Sequence, residues 1–207
     1  MIGIFGGTFD PVHLGHAFVI KEFKDLVDFD KLILIPNGNP PHKEKNVDEQ
    51  EKLEMTELAL GDIANLTIDD REVKKKAPSY AYLTLQELKK ENPDDILVWI
   101  VGSDSFANID TWYCYEEFID EVNLLVLERP GYSIQKQSIA DNILRSKQTF
   151  DISDLKKNNN KIFLLKINPI EINSTEIRKL IANNEDAAEF LHPNVYQFIK
   201  TNNLYKN

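Results

Sequence analysis

Six short apolar runs recur along the chain, and stretches with helical periodicity separate them. The runs are MIGIF at 1–5, KLILIP at 31–36, NLTID at 65–69, DILVWIVG at 95–102, NLLVLE at 123–128 and KIFLLKI at 161–167. Several lack the alternation of a half-exposed strand, which is typical of strands buried on both faces. Strands that alternate with helices predict an α/β fold built on a doubly wound parallel sheet with right-handed crossovers.

Helix signals are found between these runs. Leu14 opens an apolar helical face, and Asp48 followed by Glu51 resembles a capping box. Ser79 is predicted to cap a helix over 80–91, and Pro193 suits the first position of the last helix. Because no internal repeat or domain linker interrupts the chain, we expect a single domain over residues 1–207, with a small helical part from about residue 170.

The charge balance limits the classes of partner. The chain has 24 basic and 34 acidic residues and a net charge of −10, which argues against a protein that grips nucleic acid through a broad basic face. A small anionic ligand remains compatible with this charge, because a few basic groups and backbone N–H groups suffice locally. The single cysteine, Cys114, excludes an intramolecular disulfide and a cysteine-only metal cluster.

No targeting or membrane segment is expected from the sequence. Gly6 and Gly7 interrupt the first apolar run too early for a secretory signal. No uncharged run approaches the roughly 20 residues of a membrane span. We therefore expect a cytoplasmic protein without a membrane partner.

The stretch GIFGGTFDPVHLGH, residues 3–16, connects the first predicted strand to the first predicted helix. Its glycines allow a sharp turn and a close approach of a ligand to backbone N–H groups. His13 and His16 are three residues apart, so they share a face if both lie on the first helical turn. Because the amino end of a helix favours an anion, the turn predicts a phosphate site.

Two other interpretations of this turn are open. The histidines could be structural and pack the turn, or they could bind a metal ion together with Asp10. The metal trio is less favoured because it gives the glycines no role. Two histidines in a glycine-rich turn favour phosphate binding over a structural pair, and we predict no metal ion held by protein ligands.

The stretch GGTFDPVHLGH resembles the signature of the nucleotidyltransferase superfamily, in which two histidines flank an x-G pair. The resemblance implies a Rossmann-like nucleotidyltransferase fold and phosphate chemistry at His13 and His16. By itself it does not choose among nicotinate-mononucleotide, phosphopantetheine and glycerol-phosphate nucleotidyltransferases, and it leaves a class I synthetase open.

A carboxyl-terminal stretch resembles one branch of this superfamily, the nicotinate-mononucleotide adenylyltransferases or NadD family. INSTEIRKL at 172–180 matches the family's S-T-x-I-R motif, with Asn173 in place of the usual first serine. From the residues alone, Ser174 is the expected N-cap of a helix. The resemblance implies that Ser174, Thr175 and Arg178 bind the β- and γ-phosphates of ATP.

Three further stretches resemble the same family. PNGNPPHK at 36–43 contains its P-P-H-K element, and the resemblance implies that His42 and Lys43 face the phosphates. VGSDSFANIDTW at 101–112 matches its G-x-D…W element, which implies that Gly102 and Asp104 meet the adenosine ribose and that Trp112 flanks or stacks on the pyridine ring. LERPGY at 127–132 matches its R-P-G-Y turn, and the resemblance implies that Arg129 lies at the acceptor site.

One departure from the family pattern concerns the acceptor. The family commonly has S-Y-T-x-D-T where this chain has SYAYLT at 79–84, so Ala81 and Leu83 replace the threonine and the aspartate. In the family this region lies near the pyridine carboxylate. The choice between an acid and an amide acceptor is therefore open, although backbone N–H groups could hold a carboxylate.

The resemblance implies adenylyl transfer from ATP to nicotinate mononucleotide, which yields nicotinate adenine dinucleotide and pyrophosphate in NAD biosynthesis. The implied catalytic residues are His13, His16, Lys43 and Arg178. The implied ATP-binding residues are Gly6, Gly7, Thr8, Phe9, His16, Gly102, Asp104, Ser174, Thr175 and Arg178, and the implied acceptor-binding residues are His42, Lys43, Tyr80, Ala81, Trp112 and Arg129. Mg²⁺ would bind through the phosphates of ATP, no nucleic acid partner is expected, and a homo-oligomer is compatible with the sequence.

Three alternatives remain at this point. The same enzyme could prefer nicotinamide mononucleotide, as Ala81 and Leu83 suggest. A phosphopantetheine adenylyltransferase is less favoured, because such chains are shorter and lack the P-P-H-K and R-P-G-Y elements. A non-catalytic nucleotide-binding module is disfavoured because both histidines and Arg178 are present.

Overall fold

A computed structural model describes residues 1–38, 46–75, 78–128, 134–157, 160–167 and 172–206. Within them the strands are β1 (Ile2–Gly7), β2 (Lys31–Pro36), β3 (Leu66–Ile68), β4 (Leu97–Gly102), β5 (Asn123–Glu128), β6 (Gln148–Thr149) and β7 (Ile162–Lys166). The α-helices are α1 (Leu14–Leu26), α2 (Glu49–Leu60), α3 (Arg71–Lys74), α4 (Ala81–Glu91), α5 (Ser103–Phe106), α6 (Tyr115–Glu121), α7 (Ile139–Lys147), α8 (Ser174–Ala182) and α9 (Pro193–Asn202). Short 3-10 helices are found at Ile109–Thr111, Ile152–Lys156 and Ala188–Phe190.

The strands form one seven-stranded sheet in the order β3-β2-β1-β4-β5-β7-β6. Neighbours run parallel where their register is described, with Ile4 opposite Trp99 and Ile100 opposite Leu125. The strand order reverses its direction between β1 and β4, which is the topological switch point of a doubly wound sheet. The predicted α/β fold with a parallel sheet is confirmed.

The sequence misses one strand. β6 contains only Gln148 and Thr149 and pairs with the first residues of β7. With two polar residues it has no apolar run, so periodicity gives no signal for it. β3 is also shorter than the predicted run at 65–69, because it covers only Leu66–Ile68.

The chain divides into two compact units. Unit 1 comprises residues 1–6, 23–33 and 80–168, and unit 2 comprises residues 7–22, 34–79 and 169–207. The single-domain interpretation stays a prediction. No α-helix in the described part of the chain is long and apolar enough to cross a membrane.

The core of unit 1 is built on the continuous apolar sequences of β4 and β5. Trp99 of β4 packs edge to face on Phe118 of α6, with ring centroids 5.3 Å apart. Phe106 and Leu125 are fully buried. Strands with both faces covered need apolar residues at consecutive positions, which explains the missing alternation in the sequence.

The core of unit 2 is mainly helical. Ile20 of α1, Met55 of α2, Ile177 of α8 and Val195 of α9 are all fully buried. Helices α2 and α9 pack against one another. In α1, α8 and α9 an apolar stripe supplies this burial, as amphipathic periodicity requires, whereas the buried residues of α2 include the polar Lys52 and Thr56.

Two of the predicted helix starts in unit 2 are confirmed. The Asp48 carboxylate accepts the Gln50 N–H at 2.8 Å, and the Glu51 carboxylate accepts the Asp48 N–H at 2.9 Å, which completes the capping box of α2. Helix α9 begins at Pro193, as predicted.

The cap predicted for α4 in unit 1 is wrong. Helix α4 begins at Ala81, its N-cap residue is Tyr80, and no side chain makes a capping hydrogen bond there. The helix starts one residue later than the sequence suggested. Ser79 therefore precedes the N-cap position, from which a hydroxyl would reach the first turn.

Candidate active site

The loop between β1 and α1 packs the ring of Phe9 against Gly7. Phe9 has a left-handed backbone (φ 47°), and its ring is almost completely buried. A Cβ on Gly7 would lie 2.5 Å from Cζ of the Phe9 ring. Only glycine leaves room for this packing, so Gly7 sets the shape of the turn. Thr8 lies between these two residues, and Phe9, which the resemblance assigned to ATP binding, is placed in the core.

The two histidines of the loop lie together at the start of α1. Their ring centroids are 3.8 Å apart and the ring planes are tilted by 33°. The backbone N–H of His13 donates to Nδ1 of His16 at 3.2 Å. Because Nδ1 accepts this bond, a neutral His16 ring carries its proton on Nε2. The two histidine side chains therefore lie on one face, as expected, and Nδ1 of His16 is occupied by a hydrogen bond from the backbone.

The glycine between the histidines allows this pairing. A Cβ on Gly15 would lie 2.7 Å from Cγ2 of Ile172 and 2.9 Å from Nδ1 of His13. Either contact is shorter than packed side chains tolerate, so a larger residue would displace the His13 ring or the chain before α8. The glycine in the signature thus has a steric role.

Asp10 is buried, and each of its carboxylate oxygens accepts a hydrogen bond. The Tyr205 hydroxyl donates to Oδ1 at 2.8 Å, and Nδ2 of Asn46 donates to Oδ2 at 2.6 Å. Burial, followed by the negative charge of Asp10, raises the pKa of the Tyr205 phenol, so that it stays protonated as a donor. A buried carboxylate with both oxygens satisfied is a fixed element of the loop.

The start of α8 is bonded to the same loop. The Ser174 hydroxyl donates to the carbonyl oxygen of Pro11 at 3.0 Å, and Nη1 of Arg178 donates to the carbonyl oxygen of Asp10 at 2.6 Å. Nη2 of Arg178 donates to Oγ1 of Thr175 at 3.3 Å. The S-T-x-I-R motif and the glycine-rich turn are therefore joined within unit 2. We call Asp10, His13, His16, Ser174 and Arg178 the loop cluster.

The expectation that Ser174 caps α8 is wrong. Asn173 is the N-cap residue, and its side-chain oxygen accepts the Glu176 N–H at 2.9 Å. Asparagine is among the best N-cap residues, and it precedes the serine by one position. The Ser174 hydroxyl bonds the loop at Pro11 in this arrangement.

Lys52 is a residue of unit 2 that the sequence analysis missed. It is buried on α2, and its ammonium group donates to the carbonyl oxygens of Asn37 and Gly38 at 3.2 and 3.3 Å. These carbonyls lie just before the P-P-H-K element. Lys52 lies on the same face of α2 as Met55 and Thr56, which are both buried. This position was the sequence signal of a buried lysine, whose ammonium group needs hydrogen-bond acceptors.

His42 and Lys43 of the P-P-H-K element and Arg129 of the R-P-G-Y turn lie outside the described residues. Their assignment to the phosphates and to the acceptor stays a prediction.

The ribose residues predicted in unit 1 lie at the carboxyl end of β4. Gly102 is the last residue of the strand, and Asp104 lies in the first turn of α5. Both are half-buried. Carboxyl ends of parallel strands are where ligands bind in doubly wound sheets, so their position agrees with the predicted role.

Two of the acceptor residues predicted in unit 1, Tyr80 and Trp112, contact other aromatic rings, and a third, Ala81, is the first residue of α4. The Tyr80 ring lies 4.8 Å from the ring of Tyr113, and the Trp112 ring lies 5.5 Å from the ring of Phe118 (centroid distances). Tyr82 lies 6.5 Å from Tyr113. Tyr80, Tyr82 and Tyr113 form one group of rings and Trp112 and Phe118 a second. The two groups are adjacent in sequence at Trp112 and Tyr113, and we call the five residues together the aromatic cluster. Tyr113 is 51% exposed, and the sequence analysis missed it although it follows Trp112 directly.

The alternative in which Asp10, His13 and His16 bind a metal ion finds no support among the described residues. Within the described residues, no group of three or more His, Cys, Asp or Glu side chains is placed to hold a metal ion. Asp10 already accepts hydrogen bonds from Tyr205 and Asn46. A metal cage made of protein ligands therefore has no support in the described part of the chain.

Comparisons with known proteins identify the family. A family model described as Cytidylyltransferase-like matches residues 4–180. A protein of Pseudomonas syringae pv. tomato named "Probable nicotinate-nucleotide adenylyltransferase" is 35% identical over 208 residues, which cover 99% of this chain and 93% of that protein. A Shewanella baltica protein of the same name is 34% identical over 212 residues, with 99% and 98% covered. The chain belongs to the nicotinate-nucleotide adenylyltransferase family.

Solved structures support the fold of this adenylyltransferase. A Plasmodium falciparum nicotinic acid mononucleotide adenylyltransferase complexed with NaAD matches with a TM-score of 0.75 at 20% identity, covering 99% of this chain and 96% of that chain. The same Plasmodium enzyme complexed with APC gives a TM-score of 0.74 at 19% identity. The Rossmann-like nucleotidyltransferase fold is thus confirmed, and the protein is an enzyme of the nucleotidyltransferase class.

Proposed function

We propose that this enzyme transfers the adenylyl group of ATP to the phosphate of nicotinate mononucleotide, which forms nicotinate adenine dinucleotide and pyrophosphate for NAD biosynthesis. The observation that carries the proposal is the paired His13 and His16 at the start of α1, with Nδ1 of His16 bonded to the backbone. Relatives that share the full length of the chain carry the name of this activity.

The reaction needs no general base from the protein. A phosphate oxygen of nicotinate mononucleotide, already an anion at neutral pH, attacks the α-phosphorus of ATP. The bond from the α-phosphorus to the bridging oxygen breaks, and pyrophosphate leaves with that electron pair. Catalysis then consists of positioning and charge stabilisation.

The loop cluster supplies donors for the phosphates in this proposal. Nε2–H of His16 donates to a phosphate oxygen, because its Nδ1 is fixed by the His13 backbone. The Arg178 guanidinium has five N–H donors, and its bonds to Asp10 and Thr175 orient the group while others remain for phosphate oxygens. Gly6, Gly7 and Thr8 bring backbone N–H groups to the same loop, and Lys43 adds a charge.

A divalent metal accompanies ATP in nucleotidyltransferases, and we infer that Mg²⁺ serves here. The described residues form no group that would hold it alone, so phosphate oxygens of ATP would be its main ligands. When bound, the ion would neutralise part of the phosphate charge.

The start of α4 supports the acid form of the acceptor. Helix α4 has no acidic residue in its first turn, since Leu83 stands where the family has aspartate, and Leu83 is 46% exposed. The first turn therefore contributes no carboxylate of its own that would oppose an anionic pyridine substituent at the positive end of the helix, although Glu117 and Glu121 of α6 lie close enough to interact with Tyr82 of that turn. Tyr80, Ala81 and Trp112 would contact the pyridine, and Gly102 with Asp104 the adenosine ribose.

Pyrophosphate release from ATP and Mg²⁺ tests the proposal, measured with nicotinate mononucleotide and with nicotinamide mononucleotide in parallel. We expect kcat/KM for the acid to exceed that for the amide by about tenfold or more, the usual penalty for leaving a charge-binding site without its charge. Equal use of both would contradict the acceptor assignment. No release with either would contradict the function itself.

A further inference from the structure

We propose that Tyr205 and Asn46 are positioning residues of the phosphate site, and that both act through the Asp10 carboxylate. The proposal rests on the proposed function only for the direction of the kinetic effect. The three side chains, which we call the Asp10 clamp, come from parts of unit 2 that are far apart in sequence. Residue 46 is 36 positions and residue 205 is 195 positions from Asp10.

The clamp holds both oxygens of the Asp10 carboxylate. The Tyr205 hydroxyl holds Oδ1 at 2.8 Å and the Asn46 amide holds Oδ2 at 2.6 Å. Asp10 is 5% exposed. A buried carboxylate that loses one donor has to rotate or admit water, because an unsatisfied buried oxygen is costly.

The backbone of Tyr205 is consistent with a functional constraint. Helix α9 ends at Asn202, and its C-cap residue Asn203 has a left-handed backbone. The buried Leu204 donates its N–H to the carbonyl oxygen of Ile199 at 3.0 Å. Tyr205 itself has φ 61°. A left-handed backbone is rare for a bulky aromatic residue and persists where surrounding contacts hold it. Here the hydrogen bond to Asp10 is one such contact.

Asp10 transmits this constraint to the histidines. Its carbonyl oxygen accepts Nη1 of Arg178 at 2.6 Å, and the next carbonyl, that of Pro11, accepts the Ser174 hydroxyl at 3.0 Å. His13 follows two residues later and bonds His16. A rotated Asp10 side chain therefore shifts the turn that sets the two imidazole rings.

The kinetic consequence follows from this arrangement. In the proposal neither Tyr205 nor Asn46 touches a substrate, so the KM values for ATP and the acceptor stay within about twofold. The histidines stabilise charge mainly in the transition state, so a displaced pair lowers kcat, by about tenfold for a shift well under 1 Å.

The test compares Tyr205→Phe and Asn46→Ala with a matched control. Tyr196→Phe removes a hydroxyl of the same unit that donates to the exposed Asp186 at 2.8 Å. We expect kcat per folded molecule to fall about tenfold in the two clamp variants and to stay unchanged in the control. The folded fraction comes from circular dichroism and thermal unfolding.

A second readout separates the clamp from the reaction. The chain has four histidines, so the imidazole NMR signals of His13 and His16 can be assigned with His→Gln variants. We expect these signals to shift in both clamp variants and not in Tyr196→Phe. This measurement holds even if the wild type does not use nicotinate mononucleotide, in which case only the proposed function fails.

Three outcomes would overturn the proposal. One is wild-type kcat per folded molecule, with unshifted histidine signals, in Tyr205→Phe or Asn46→Ala. Another is an equal loss in Tyr196→Phe. The third is a rise in KM without a fall in kcat, which would show that the clamp does not act through the histidines. If Tyr205→Phe does not fold, the result for Asn46→Ala alone decides the test.

Discussion

The loop cluster of unit 2 and the aromatic cluster of unit 1 use different physical means. In the loop cluster, Asp10 and Arg178 are held by hydrogen bonds of 2.6 to 2.8 Å to named donors and acceptors. In the aromatic cluster, the ring centroids of Tyr80 and Tyr113 lie 4.8 Å apart with the ring planes tilted by 32°, and Tyr113 is half exposed. Directional bonds suit a phosphate whose charge must be met at fixed positions, whereas ring faces suit a planar heterocycle.

This difference predicts how substitutions divide between kcat and KM. Charge stabilisation that strengthens in the transition state appears in kcat, whereas stacking that holds substrate and transition state equally appears in KM. Substitutions in the loop cluster should therefore lower kcat, and substitutions in the aromatic cluster should raise the KM for the acceptor.

The largest effect is expected for His16→Ala. Loss of the Nε2–H donor should lower kcat by about 100-fold or more, because a single preorganised donor contributes about 3 kcal/mol to transition-state stabilisation. The measurement is steady-state pyrophosphate release together with the midpoint of thermal unfolding, which we expect to change little.

His192→Ala is the matched control for His16→Ala. Nδ1 of His192 also accepts a backbone N–H, that of Asn194 at 3.3 Å, as the N-cap of α9. Its loss should cost about 1 kcal/mol of folding free energy and leave kcat unchanged. Near-normal turnover in His16→Ala would remove the central role of the loop cluster.

A smaller effect is expected in the aromatic cluster. Trp112→Leu should raise the KM for the acceptor about fivefold and leave kcat within about twofold, because an aromatic contact contributes about 1 kcal/mol. Tyr113→Ala should act in the same direction, since Tyr113 supports the Tyr80 ring. The KM values for both substrates, measured by pyrophosphate release, test this expectation.

Tyr115→Phe controls for a nonspecific aromatic effect. Its hydroxyl donates to Glu116 at 3.1 Å on the surface of α6, and both KM values should be those of the wild type. If Trp112→Leu instead lowers kcat alone, the two clusters do not divide the reaction as described.

Local signals in the sequence were sufficient for much of the fold. The capping box at Asp48 and Glu51 lies within four residues, and α2 begins where it predicts. The continuous apolar runs predicted β4 and β5, because a strand that is covered on both faces needs apolar residues at consecutive positions. Two-residue β6 has no such run and was missed.

Sequence motifs predicted which residues belong to the candidate site but not which hydrogen-bond partners they have. His13, His16 and Arg178 were predicted from motifs, whereas the bond from Tyr205 to Asp10 joins residues 195 positions apart. Such a contact depends on how α9 ends, which no local pattern encodes. Ser174 shows the same limit. The neighbouring Asn173 is the N-cap residue in its place, and the Ser174 hydroxyl donates to the carbonyl oxygen of Pro11.

The smallest expected effect concerns helices α4 and α6, which carry Tyr82 and Phe118 of the aromatic cluster. The Glu121 carboxylate of α6 accepts hydrogen bonds from Lys89 at 2.8 Å and from Gln86 at 2.7 Å, both on α4. Chiefly the bond from Lys89, against the opposing effect of partial burial, lowers the pKa of Glu121 below its usual value. A group whose pKa is lower in the folded state stabilises the fold above its unfolded pKa, and that contribution disappears as pH falls through the folded pKa.

Glu121→Gln should therefore lower the free energy of unfolding at pH 7 by about 0.5 kcal/mol, because the pair is partly exposed and screened. The difference from the wild type should shrink below pH of about 4, near the unfolded pKa, and vanish at lower pH. Urea unfolding at several pH values measures it, with Glu117→Gln, an exposed neighbour on α6, as a control for the loss of one negative charge on the same helix. If the KM for the acceptor rises in Glu121→Gln but not in the control, the aromatic cluster depends on a directional hydrogen bond, as the loop cluster does. The two clusters would then differ only in the exposed groups that contact the substrates.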